Sequence, residues 1–73
     1  MPRKIRQLKA DLRRMGAWLV GEVGDHEKWK HPLVADVYVE LSGKDGADAR
    51  PYQEQRLREL ERRVAEEKRK QQP

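Results

Sequence analysis

Two turn signals standing close together constrain this chain more than anything else in it. Gly24-Asp25 is a turn-forming pair, and Pro32 cannot continue a central strand. The residues between them, His26-Glu27-Lys28-Trp29-Lys30-His31, have room for one short strand. Alternation puts His26, Lys28 and Lys30 on one face and Glu27, Trp29 and His31 on the other. Trp29 is the residue to turn inward, since burying its ring stabilises by roughly 2–3 kcal/mol. His26 is then left outside, at the start of the strand, on the face of two lysines. An imidazole flanked by cations suits an anionic substrate.

The flanking segments supply partners for that strand. Ile5, Leu8, Leu12 and Met15 recur at helical spacing, which predicts an amphipathic helix from about Arg3 to Met15. Gly16 stands where a helix-ending glycine belongs. Ala17 to Glu22 reads as a first strand, with Trp18 and Val20 on one face and Leu19 on the other. His31 to Ala35 reads as a hairpin loop of moderate length, with His31 closing the hairpin before Pro32. Asp36 to Leu41 then alternates cleanly, with Val37, Val39 and Leu41 inward and Asp36, Tyr38 and Glu40 outward.

Ser42 to Ala49 is a loop by its glycines and small polar residues. Pro51 opens a helix running to about Lys70, with Asp48 as its expected capping residue. Leu57, Leu60 and Val64 form its narrow apolar stripe, with Tyr52 as an addition near the start. Residues 1–73 thus read as one domain, of which about 65–73 are expected to fray or project into solvent. The order is helix, strand, strand, strand, helix. That predicts an α+β fold, an α-β-β-β-α two-layer sandwich on an antiparallel three-stranded sheet. Double-stranded-RNA-binding domains use the same order, although a fold alone does not decide function.

Composition narrows the chemistry. Cysteine is absent from the 73 residues, so no disulfide or thiolate site supplements a small core. Two histidines without cysteine predict no metal site of the structural zinc kind. No apolar run approaches a membrane span of about 20 residues, and the basic N-terminus leads into no apolar segment of a signal peptide. A cytoplasmic location and no membrane partner are therefore expected. The net charge of +4 is unevenly spread. Residues 1–16 hold six basic and one acidic side chain, residues 17–49 three and seven, and residues 50–73 eight and five. The basic ends permit nucleic-acid contact, while the acidic middle is no uniform RNA platform.

Gly24-Asp25-His26 followed by Trp29-Lys30-His31-Pro32 resembles the Gly-Ser-His…His-Pro signature of HicA-type toxins. Val39-Glu40-Leu41-Ser42-Gly43-Lys44, then Gly46-Ala47-Asp48-Ala49 and Tyr52-Gln53, is similar to a Ser-Gly-Lys…Gly-Asp-Asp-Ala…Tyr-Gln stretch of one HicA branch. The resemblance covers about residues 3 to 64. It implies a fold like a double-stranded-RNA-binding domain and an endoribonuclease that cleaves messenger RNA without a metal or other cofactor. It also implies a partner antitoxin of the HicB type that covers the active site. Carried over, His26 is the catalytic histidine. Asp25 departs from the pattern where serine is usual, and Glu27 where a basic or small polar residue is common.

Metal-free RNA cleavage needs a base for the ribose 2′-OH, an acid for the leaving 5′-oxygen and cations on the phosphate. His26 can be the base, Lys28 and Lys30 supply charge from its own face, and Lys44 can reach RNA from the loop. No second acid is evident, and His31 has the opposite parity. Asp25 and Glu27 repel phosphate, yet a carboxylate beside His26 also stabilises an imidazolium. Two other readings therefore stand beside the enzyme. One is a non-catalytic RNA- or antitoxin-binding module on the same fold. The other is an interaction protein that pairs through its C-terminal helix.

Overall fold

Residues 2–71 are described by a computed structural model. Helix α1 spans Ile5–Met15, strands β1, β2 and β3 span Trp18–Val23, His26–His31 and Val34–Ser42, and helix α2 spans Pro51–Gln71. The strands form one antiparallel sheet in the order β1-β2-β3. The α-β-β-β-α order is the expected one.

Helix α1 forms because Ile5, Leu8 and Leu12 bury one stripe completely. It stops at Gly16, whose φ of +95° is left-handed. There the Gly16 N–H donates to the Arg13 carbonyl and the Ala17 N–H to the Leu12 carbonyl, the paired bonds of a Schellman end. A Cβ at Gly16 would also meet His31 Nε2 at 3.4 Å. Gly16→Ala is therefore expected to lose about 1–2 kcal/mol in urea unfolding, and an unchanged midpoint would contradict this. At the other end of α1 the Ile5 and Arg6 amides donate to the carbonyls of Ala47 and Asp45. The 43–49 loop thus supplies the partners that a helix start lacks.

Gly24, at φ +57°, and Asp25 form a two-residue turn between β1 and β2, with Val23 opposite His26. A positive φ at the first turn position alone is the pattern of a type II′ hairpin. The second hairpin is tighter than expected. Only Pro32 and Leu33 lie between His31 and Val34, so β3 begins at Val34 rather than Asp36. His31 makes this possible: its Nδ1 accepts the Leu33 N–H at 3.1 Å, while Nε2 meets the Met15 carbonyl at 2.9 Å. Since Nδ1 accepts, the proton sits on Nε2, which donates. The register shifts beyond this turn, which lets Val34 and Val37 both face inward with Val39 and Leu41.

The two helices cover one face of the sheet unequally. Arg13 stacks on Trp29, Lys9 pairs with Glu27, and Met15 binds His31, so α1 lies over β2. Helix α2 packs over β3 through Leu57, Leu60 and Val64. Its stripe is completed by Gln53 rather than Tyr52, which is half exposed. Gln53 Oε1 accepts the Arg50 N–H at 2.8 Å, which makes Gln53 the partner at this helix start. Asp48, expected as the cap, instead pairs with Lys4. The helix is continuous through residues 65–71, tied by Arg62–Glu66 and Lys70–Glu67 contacts and exposed from Lys68 on. Residues 72–73, also expected to fray, lie outside the described residues. No residue of β1 is buried, and a bulge at Val20 breaks the simple alternation of Trp18, Leu19 and Val20.

Two ion pairs, one between α2 and β3 and one between α1 and the 43–49 loop, set an acid response. Arg63 donates two 3.1 Å bonds to Asp36, and Lys9 reaches Asp45 at 2.7 Å. The Arg63 guanidinium holds the Asp36 carboxyl below its ordinary value, helped by a backbone hydrogen bond. The Lys9 ammonium does the same for Asp45. A carboxyl depressed in the folded state stabilises above the ordinary carboxylate range and loses that contribution as pH falls through the depressed value. The double variant Asp36→Asn, Asp45→Asn is therefore expected to flatten the fall of the urea midpoint below about pH 4. A fall as steep as that of the unaltered chain would refute it.

Candidate RNA-contact face

The sheet face away from the helices carries the side chains of opposite parity to Trp29. His26 faces Val23 and Ser42 across the strands, Lys28 faces Gly21 and Glu40, and Lys30 faces Trp18. Directly paired residues share a face. Gly21, Glu22, Val23, His26, Lys28 and Glu40 line an open hollow of about 450 Å³. His26 enters it from the start of β2 because the Gly24-Asp25 turn ends immediately before it.

His26 Nδ1 lies 3.3 Å from Glu40 Oε1, a diagonal contact between β2 and β3. Both side chains are accessible, at 60% and 39%. With the Nδ1 proton shared toward Glu40, the Nε2 lone pair is the one presented to a ligand. Lys28 is paired with Glu40 across the strands, its ammonium 4.9 Å from the centroid of the Tyr38 ring. Such a contact holds the lysine over the sheet at modest energy, about 0.5–1 kcal/mol at an exposed site.

Of the residues singled out in the sequence, His26 and Lys28 are brought together. Lys30 shares their face but is half-buried and lies outside the lining of the hollow. Lys44 is exposed in the loop two residues beyond Ser42, also outside that lining. The Glu27 side chain points away from His26. It turns to the helix side, accepting from the Trp29 indole at 3.2 Å and from Lys9 at 3.3 Å. Its charge is already met there. Lys9 is held above its ordinary value, chiefly by its hydrogen bond to Asp45 and further by Glu27.

The carboxylate that does touch His26 is Glu40, which sequence reasoning placed outward without joining it to the site. Only the register could have shown it, because Glu40 pairs with Lys28 and reaches His26 on the diagonal. A second, smaller hollow of about 160 Å³ lies beside the first, lined by Tyr38, Glu40, Tyr52 and Arg56. Glu40 belongs to both. Among the described residues no three His, Asp or Glu side chains come together as a metal-ligand set, and no helix is long and apolar enough to cross a membrane. Comparisons with protein-family models, with curated proteins and with solved structures find no match to the chain.

Proposed function

We propose that the chain is a HicA-like toxin: a metal-independent endoribonuclease that cleaves messenger RNA and is neutralised by a HicB-type antitoxin. The observation that carries the reading is the hollow on the open sheet face, where His26 meets Glu40 and Lys28 lines the same wall. Glu40 on Nδ1 leaves Nε2 to take the proton of a ribose 2′-OH. The 2′-oxygen then bonds to phosphorus as the bond to the 5′-oxygen breaks, and the leaving 5′-oxygen takes a proton from solvent water. Lys28 offsets the charge that gathers on the phosphoryl oxygens. Lys30, on the same face, and Lys44, in the loop after β3, extend the positive charge toward the rest of the strand. An antitoxin that covers this face would close the hollow.

A non-catalytic RNA- or antitoxin-binding module is favoured by one specific feature. Glu40 stands in the hollow beside its single lysine, an unfavourable balance for a phosphodiester. The deciding experiment is RNA cleavage by the purified chain in chelator, beside His26→Ala. Cleavage that survives chelator and is lost in His26→Ala supports the enzyme. Cleavage that His26→Ala leaves intact removes His26 from the chemistry. Binding by both proteins without cleavage by either puts the module first.

A further inference from the structure

The second hollow has no part in the proton transfer described above, yet it shares a wall with the site. Tyr52 and Arg56 stand one helical turn apart at the start of α2, on the side that meets the outer edge of β3. Opposite them are Tyr38 and Glu40, two residues apart on β3 and therefore on one face. Tyr38 and Tyr52 are both large aromatic side chains left substantially exposed, at 41% and 51%. Neither contributes to the core cluster. Lys28 bridges the hollows from the other side, lining the first and lying against the Tyr38 ring.

Two rings, a guanidinium and a carboxylate around about 160 Å³ are the groups that receive a base turned out of its stack. Aromatic and guanidinium planes stack on it, and the polar tips meet its edge. We infer that the Tyr38–Tyr52–Arg56 hollow is a nucleobase subsite for single-stranded RNA, next to the phosphate that His26 and Lys28 address. The inference rests on the reading of the open sheet face as an RNA site, and it specifies the substrate as unpaired RNA. A duplex cannot use the hollow, because its bases are stacked and paired and present only edges and backbone. Stacking on a ring tolerates any base, so the subsite selects for strandedness above sequence.

The test uses the full chain and a fluorescent 2′-O-methyl RNA, which binds but has no 2′-OH to attack. Affinity is read by anisotropy for the single strand and for the same strand annealed to its complement. Tyr52→Ala and Arg56→Ala are each expected to weaken single-strand binding about tenfold. Tyr52→Phe, which keeps the ring, should retain it. Arg69→Ala, removing an equal charge from the exposed far end of α2, should lose less than Arg56→Ala. Circular dichroism of each variant checks that the fold is kept. Equal affinity for single strand and duplex, or a Tyr52→Ala variant that binds like the parent, overturns the subsite. In that event the His26 chemistry still stands or falls on its own cleavage assay. Conversely, Tyr52-dependent binding by a chain that never cuts upholds the subsite and removes the enzyme. A chain that binds neither form overturns the subsite and leaves the enzyme to the cleavage assay.

Discussion

His26→Ala is expected to lower the rate of RNA cleavage by 10²- to 10⁴-fold, roughly 3–5 kcal/mol of transition-state stabilisation. The size follows from what would be lost. His26 is the one imidazole on the open face, since His31 is buried between α1 and the β2–β3 turn with both ring nitrogens engaged. His31 can therefore not take over. The fold should be untouched, because the His26 side chain is 60% exposed. Glu40→Gln keeps the shape and removes the charge opposite Nδ1. Its rate should fall between those of the parent and His26→Ala, and the loss should appear in kcat with KM little changed. Purified proteins assayed side by side in chelator decide it. A His26→Ala protein that cuts at more than a tenth of the parental rate would end the proposed chemistry.

The largest effect on stability is expected at Trp29. Its ring is 4% exposed in the middle of β2, paired with Leu19 on one side and Val39 on the other. Arg13 lies 5.5 Å from its centroid, and the indole N–H donates to Glu27. Trp29→Ala opens a cavity costing about 3–5 kcal/mol. It also leaves Glu27 without one donor. A chain of 73 residues has a total stability of roughly 4–11 kcal/mol at the usual value per residue. The variant should thus lose between about a quarter and all of that stability, measured by urea titration with far-UV circular dichroism. Trp29→Phe, keeping a ring in the same place, should lose much less. A loss below 1 kcal/mol for Trp29→Ala would mean that the sheet does not depend on this residue.

The elements were legible in the sequence where a period was long enough to read. Ile5, Leu8 and Leu12 marked α1, and Val37, Val39 and Leu41 marked the inner face of β3. The parity of His26 and Trp29 followed from two turn signals alone. What stayed hidden depended on pairing. Val34 and Ala35 look like loop residues, and only the hydrogen bond from Leu33 to His31 makes a two-residue turn that lets β3 start at Val34. Asp48 looks like a cap, but the α1 start claims its loop first, leaving Gln53 to serve α2. Glu27 is next to His26 in sequence and turned away from it in space. Glu40 is fourteen residues away and touches it. A one-residue slip of register would exchange their faces, so no reading of one strand at a time can find that partner.

The bareness of β1 bears on when the site exists at all. The strand is held to the rest of the chain chiefly along β2, with no residue buried beneath a helix, yet Gly21, Glu22 and Val23 form one wall of the His26 hollow. Its hydrogen bonds are therefore expected to open below the free energy of global unfolding. The helices, β2 and β3 would then stay folded while that wall opens. Occupancy of the competent hollow is then governed by a local opening equilibrium. Any molecule that grips β1 from its unpaired side shifts that equilibrium toward closure without ever touching His26.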